Sequence, residues 1–160
     1  MKTNLVRILM LTAIAAAAGS AQQVDTQQTT AHRTSGMASI VGVWDVAVTV
    51  VNCQTGATIR NVHSVQMYES DGSFSETANT GLRGPSIGYW FREEPLTYGA
   101  AYFFFRYAPD LSFASFAKAN NTIKLSPDGS QFSVTATIQD YDANSNLLST
   151  GCVTQTGKRL

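Results

Sequence analysis

Residues 126–141, SPDGSQFSVTATIQDY, decide the fold class. The first four residues are a strong turn signal, because Pro and Gly supply the backbone angles that tight turns need. Phe132, Val134, Ala136 and Ile138 then alternate with Ser, Thr and Gln. Alternation with a period of two residues places apolar side chains on one face of a β-strand. This stretch therefore predicts a strand with one buried face and one exposed face.

The same pattern recurs before and after this stretch, with Gly, Pro, Asn and Asp clusters between the apolar runs. Short strands joined by short turns favour a meander, in which each strand pairs with the next. We predict an all-β domain, an eight-stranded antiparallel up-and-down barrel, because closure removes the exposed strand edges. A β-sandwich is the alternative. The predicted strands are 42–51, 58–69, 73–78, 87–92 (ended by Glu-Glu-Pro at 93–95), 97–107, 113–125 (bent or bulged at 120–121), 131–141 and 147–160.

The amino terminus has the composition of a secretory signal peptide: two basic residues, an apolar run over 8–18, and small residues after it. The run is too short to span a bilayer. We predict a signal peptide over 1–21, a flexible polar leader over 22–36 and a barrel domain over 37–160. The protein is thus predicted to be exported, to a periplasm or out of the cell, with no membrane span after cleavage.

Cleavage after residue 21 removes two basic residues and leaves 9 basic against 11 acidic residues, a net charge of −2. A nucleic-acid-binding domain would instead carry a clustered positive face. Anionic membrane surfaces likewise attract basic segments. Nucleic acid is therefore excluded as an expected partner, and an anionic membrane surface is a poor match.

The chain has two cysteines, Cys53 and Cys152, and an even pair in an exported chain predicts a disulfide. The first and last strands are neighbours in a closed meander. We predict that Cys53 lies opposite Cys152 on the outer face, so that paired residue numbers sum to 205 and Val46 faces Arg159. Two cysteines and the single histidine of the folded part, His63, are too few for a zinc site. We expect no metal and no cofactor.

Gly42-Val43-Trp44, at the start of the first strand, resembles the Gly-x-Trp signature of the calycin superfamily, which includes the lipocalins. In that family the tryptophan closes one end of the barrel and packs against an arginine late in the last strand. The resemblance implies this role for Arg159, placed diagonally from Trp44 on the inner face. It extends to the barrel topology and to these two termini.

His63 shares a predicted strand face with Ile59, Val65 and Met67, which points it toward the interior. There it would bind a ligand, act as a base or, as in nitrobindin-like calycins, hold a haem. The favoured interpretation is a hydrogen-bonded interior histidine, because no residue near it in sequence supplies the carboxylate that would orient it as a base. Arg106 follows an aromatic run and would either orient an anionic ligand at the rim or cap the strand end.

No sequence motif for catalysis is present, so three hypotheses remain. The first is an exported protein that binds a small apolar or aromatic ligand. The second is a small-barrel enzyme similar to allene oxide cyclase or dirigent proteins. Of the two outcomes, a protein without enzymatic activity is favoured over an enzyme. The third is a filled barrel with a structural or interaction role, and aromatic residues on the outer face would then mark a partner or homodimer interface. The predicted ligand contacts are Trp44, Val48, His63, Met67, Phe104, Arg106, Phe132 and Val134.

Overall fold

A computed structural model describes residues 38–160. Eight strands form a closed barrel in which each strand pairs antiparallel with the next and β8 pairs with β1. The predicted up-and-down barrel is confirmed. The predicted signal peptide and leader lie outside the described residues. The strands are β1 Gly42–Val51, β2 Thr58–Tyr68, β3 Ser73–Ala78, β4 Ser86–Glu94, β5 Thr97–Tyr107, β6 Phe113–Leu125, β7 Gln131–Tyr141 and β8 Leu147–Arg159.

The predicted irregularity in β6 is wrong. The strand keeps its register with both neighbours through Asn120 and Asn121. Asn121 points inward and is 4% exposed, whereas Asn120 points outward. The alternation thus continues through both residues. The register shift of the β5–β6 pair lies instead at the end of β5, between Arg106 and Tyr107.

The predicted register of the β1–β8 seam is wrong by two residues. Trp44 lies opposite Arg159 and Val51 lies opposite Cys152, so Val46 faces Gly157 and not Arg159. The reason is that β1 ends at Val51 and Cys53 lies beyond it in a turn.

The predicted disulfide is nevertheless present. Cys53 and Cys152 are bonded across the seam, with their Cα atoms 5.2 Å apart. Cys152 lies on the outer face, since its neighbour Val153 points into the core and is 3% exposed. The bond therefore links β8 to the turn after β1 from outside the barrel. Cys152 lies opposite Val51, so Cys53 is diagonal to it and not directly opposite.

The predicted inner face of β2 is wrong. Gln66 and Tyr68 point inward and are fully buried, so His63 and Met67 point outward. A buried amide is tolerated where it is hydrogen-bonded, and Gln66 donates from Nε2 to Gln155 Oε1 at 2.8 Å. The outward residues of β2 are Ile59, Asn61, His63, Val65 and Met67.

The barrel has two different ends. One end, the floor, holds the start of β1 and the end of β8. The opposite end, the mouth, carries the loops 52–57, 79–85, 108–112 and 142–146.

Candidate functional site

The floor is closed by stacked aromatic rings. Trp44 is fully buried and donates from Nε1 to the Ile40 carbonyl at 2.8 Å. The centroids of the Trp44 and Phe132 rings are 4.8 Å apart, and the guanidinium carbon of Arg159 lies 4.3 Å from the centroid of the Trp44 ring. The contact between Trp44 and Arg159 that the calycin resemblance implied is present, and the two residues are directly opposite, not diagonal.

The apolar part of the interior is filled. Phe132 occupies its place because Gly157 has no side chain: a Cβ there would lie 2.3 Å from Phe132 Cζ. Trp44, Val48, Phe132 and Val134 all belong to one buried core. Of these four predicted ligand contacts, Trp44, Phe132 and Val134 pack within the core, whereas Val48 also lines the small cavity described below.

Above the floor lies a buried polar network. Gln66 donates from Nε2 to Gln155 Oε1 and, at 3.3 Å, to Glu76 Oε1. Tyr68 donates its hydroxyl to Gln66 Oε1 at 2.9 Å. These four residues are each at most 4% exposed. The network satisfies polar groups in the middle of the barrel and connects the floor to the charged residues nearer the mouth.

Glu76 is the central charge of the interior. It forms an ion pair with Arg83, and Ser86 donates from Oγ to Glu76 Oε2 at 2.8 Å. Arg83 donates from Nη2 to Ser86 Oγ at 2.7 Å. The exposed fractions of the Arg83 and Glu76 side chains are 11% and 3%, so the pair is almost completely removed from water.

The loop 79–85 delivers Arg83 to this position. The backbone amide of Gly84 donates to the Phe105 carbonyl at 2.9 Å, and that of Tyr107 donates to the Leu82 carbonyl at 2.8 Å. These two bonds hold the loop against the end of β5. The loop thus behaves as a short extension of the sheet, with Arg83 turned inward.

Phe104 is the aromatic support of the mouth. The guanidinium carbon of Arg83 lies 3.8 Å from the Phe104 ring centroid, and that of Arg106 lies 5.0 Å from it. Arg106 also donates from Nε to Asp140 Oδ1 at 2.5 Å. The two predicted site residues Phe104 and Arg106 therefore lie together at the mouth, where Arg106 is held by a carboxylate from β7.

A small cavity of about 40 Å³ lies at the centre of this arrangement. It has room for one water molecule or one small anionic group. Arg60 has no carboxylate partner within 38–160, and the Nε of Arg83 is buried without a hydrogen-bond partner in the same range. The lining residues are Val48, Val50, Arg60, Val62, Glu76, Thr80, Arg83, Tyr102, Phe104, Arg106, Ile138, Val153 and Gln155.

Two buried tyrosines stay neutral in this environment. Burial raises the pKa of Tyr68 well above its usual value, and the nearby Tyr102 and Glu76 raise it further. Burial also raises the pKa of Tyr102, with Glu76 again adding to the effect. A charged form is disfavoured where water cannot solvate it. Both phenols are therefore hydrogen-bonding groups and not anions.

His63 and Met67 lie outside this site. The Nε2 atom of His63 contacts the carboxylate of Asp45 on the outer surface, and the His63 side chain is 58% exposed. Met67 is 38% exposed on the same outer face of β2. Neither side chain reaches the interior, so the structure brings His63 neither to the mouth cavity nor to the floor.

Sequence reasoning did not place Arg60, Glu76 and Arg83 at a site. Glu76 follows the core residue Phe74 by two positions in β3, so strand alternation could have placed it inside. Arg60 could have been placed at this site only if the inward face of β2 had been predicted correctly. Arg83 lies in a Gly- and Pro-containing loop, and no local pattern indicates that its side chain turns inward.

Among the described residues, no group of three or more His, Cys, Asp or Glu side chains is placed to hold a metal ion. The described part of the chain also contains no helix long and apolar enough to cross a membrane.

No protein-family model matches this chain, and no curated protein is significantly similar to it. A solved structure, that of EF1p2_mFAP2b bound to DFHBI, is similar to it with 19% sequence identity and a TM-score of 0.47. The match covers 76% of this chain and 94% of that one. A likeness at this sequence identity and TM-score carries no argument about what this chain binds.

Proposed function

We propose that this protein is an exported binding protein that holds a small organic anion at the mouth of its barrel. The observation that carries the proposal is the charge around the mouth cavity. Three guanidinium groups, those of Arg60, Arg83 and Arg106, line it. Among residues 38–160, two carboxylates, those of Glu76 and Asp140, form ion pairs with them. One positive charge is left over, and the geometry of a guanidinium matches that of a carboxylate.

The size of the cavity limits the ligand. A volume of about 40 Å³ accepts a carboxylate group but not a whole molecule, because pockets for drug-sized ligands are about 300–1,000 Å³. Beside the arginines, the half-buried side chains of Val50, Val62 and Ile138 line the same opening. The ligand we propose therefore has an anionic head group among the guanidinium groups and a short apolar part against these three residues.

The contacts of Glu76 favour binding over catalysis. A general base needs a free lone pair within reach of the substrate proton. Both carboxylate oxygens of Glu76 already accept hydrogen bonds, Oε1 from Gln66 and Oε2 from Ser86 and Arg83. His63, the other candidate base, lies on the outer surface. Glu76 is thus already committed to a buried ion pair and hydrogen bonds, which favours a structural role over that of a base, and the filled-barrel hypothesis fits the floor but leaves the cavity at the mouth unexplained.

The disulfide between Cys53 and Cys152 supports the export part of the proposal. Such bonds persist in oxidising compartments and are rare in the reducing cytosol. The predicted signal peptide points in the same direction.

Calorimetric titration with benzoate tests the proposal. We expect saturable binding by one site, and Arg60→Gln should weaken it about tenfold, the effect of losing one charged hydrogen bond. Arg60 is exposed, so this variant should keep its thermal stability. Lys158→Gln is the matched control, because Lys158 is exposed near the floor and should leave binding unchanged. Failure of benzoate, acetate and hexanoate to bind, or equal weakening by both variants, would contradict the proposal.

A further inference from the structure

The outer surface of β4, β5 and β6 carries a large apolar patch, which we call the aromatic face. Its six main residues are each 43–60% exposed. Since a large side chain offers about 150–250 Å² of surface, the exposed apolar area is roughly 600 Å². Monomeric proteins rarely expose apolar patches larger than a few hundred Å² without a function for them. The six residues are Ile87, Tyr89, Phe91, Phe103, Phe105 and Phe113.

A groove of about 810 Å³ runs across this face. Tyr89 and Ala101 are opposite each other in the β4–β5 pair, and Ile87 is opposite Phe103. Ala101 therefore forms a low point between larger side chains. The groove is lined on its far side by Lys118, which pairs with Phe103.

We infer that the aromatic face binds a second copy of this chain, forming a two-fold symmetric dimer. The argument begins with the order of side chains on the outer face of β5, which is Gly99, Ala101, Phe103 and Phe105. Two small residues are followed by two large ones. A two-fold axis in the interface, perpendicular to β5 and between Ala101 and Phe103, lays one β5 antiparallel over the other. Each Phe103 then lies over the partner's Ala101, so the face is complementary to itself, as a two-fold interface requires.

The strands on either side of β5 are compatible with the same two-fold rotation. On β4 this rotation places Ile87 of one copy against Tyr89 of the other. Because a barrel surface curves away on both sides of β5, large residues are needed there to reach the second copy. The Phe91 ring covers Gly99, where an added Cβ would lie 2.3 Å from the Phe91 Cζ atom, and each Phe105 then meets a Phe91 ring.

Charge also favours a second copy. Among residues 38–160, Lys118 is the one charged residue that lines the groove. The two-fold operation places it opposite Asn120, the next outward residue of β6, whose amide oxygen accepts a hydrogen bond. An anionic membrane surface would instead be attracted by a cluster of basic residues. The apolar area is close to the roughly 800 Å² that each partner contributes to a standard interface.

Sedimentation velocity over a concentration series tests the dimer. The purified protein should form dimers at micromolar concentrations. Phe103→Lys should raise the dimer dissociation constant about 30-fold, the scale of an interface hot spot. Met67→Lys is the matched control, since Met67 is an exposed apolar residue on the outer face of β2, and it should leave the dimer intact.

Ala101→Trp separates a specific dimer from general stickiness. The larger ring fills the low point that accepts Phe103, so a two-fold dimer should dissociate although the face becomes more apolar. Tyr89→Lys gives a second test if Phe103→Lys does not fold, which near-ultraviolet circular dichroism detects. A monomer at all concentrations, larger open-ended oligomers, or unchanged association of Ala101→Trp would overturn the inference. So would a monomer that floats with phosphatidylcholine vesicles.

Discussion

The guanidinium of Arg159 lies over the indole of Trp44, its central carbon 4.3 Å from the ring centroid, and the two residues are opposite each other in the β1–β8 pair. Arg159 also donates to the carbonyls of Gly129 and Val41, at 2.8 and 2.7 Å. These contacts tie the end of the chain to the segment before β1 and to the turn before β7. The closing seam and the closed floor are therefore one structural unit.

Replacing Trp44 by Ala should lower the free energy of unfolding by about 3–5 kcal/mol, because it opens a cavity in a filled floor. Val43→Ala is the control, since Val43 is the next residue on β1 and is 38% exposed. Chemical denaturation measures both variants. A change within about 0.5 kcal/mol for Trp44→Ala is the behaviour of a surface residue and would contradict the floor described above.

Removing the disulfide should destabilise the barrel by up to about 4–5 kcal/mol, because the bond closes a long loop in the unfolded chain. Cys53 and Cys152 are 99 residues apart. The double variant Cys53→Ala/Cys152→Ala should match the reduced wild-type protein and should not respond to reductant. Free thiols at both positions in non-reducing peptide maps would contradict the bond, as would equal melting temperatures for the oxidised protein and the double variant.

The buried pair of Glu76 and Arg83 predicts a strong asymmetry between single and double variants. Arg83→Met leaves a buried carboxylate without its partner and should cost about 3–5 kcal/mol. The double variant Arg83→Met/Glu76→Leu removes both charges and should be clearly more stable than Arg83→Met alone. The free energies of unfolding from denaturant titrations give the comparison. If Arg83→Met is neutral, or if the double variant is the less stable of the two, the pair is not buried in solution.

High pH should unfold the barrel through its interior tyrosines. Burial raises the pKa of Tyr68 and of Tyr102 in the folded state. Their contribution to stability is therefore complete below the unfolded pKa of about 10 and is lost as the pH rises above it toward the folded value. Tyr102→Phe should make the free energy of unfolding fall less steeply with pH in that range. Phenolate absorbance that saturates for all tyrosines before circular dichroism reports unfolding would contradict this prediction.

The strands were predictable where polar and apolar residues separate cleanly by face. In β7, Phe132 and Val134 are 3% exposed between exposed Ser and Thr residues, and the sequence pattern alone places the strand and its faces. Whereas the contact between Trp44 and Arg159 was expected only from the calycin resemblance, the turn at 126–130 belongs to the same category as this strand. Local alternation and turn chemistry determine these features, and both are visible along the chain.

The inward face of β2 could not be predicted from alternation, because this strand buries polar side chains and exposes apolar ones. Ser64 and Gln66 point into the barrel while Val65 and Met67 are 43% and 38% exposed. Gln66 is buried because Gln155, a residue of β8, accepts its hydrogen bond. That partner is distant in sequence, so a pattern within β2 indicates the wrong face.

The mouth site depends on long-range contacts in the same way. Arg83 reaches Glu76 because backbone bonds hold the loop 79–85 against β5. Arg106, whose position after the aromatic run left open an anion-orienting role at the rim or a cap of the strand end, lies at the mouth. Its partner Asp140 comes from β7, which only the three-dimensional register brings close.

The most direct test of the proposed mouth site is a nuclear magnetic resonance titration that follows the side-chain Nε–H signals of the arginines while benzoate is added. The Nε of Arg83 is buried without a partner among residues 38–160, and Arg106 lines the same cavity. Both signals should shift and saturate together, while those of Arg92 and Arg159 near the floor stay unchanged. If no arginine signal moves, or if the shifts are confined to the aromatic face, the mouth of the barrel is not the binding site.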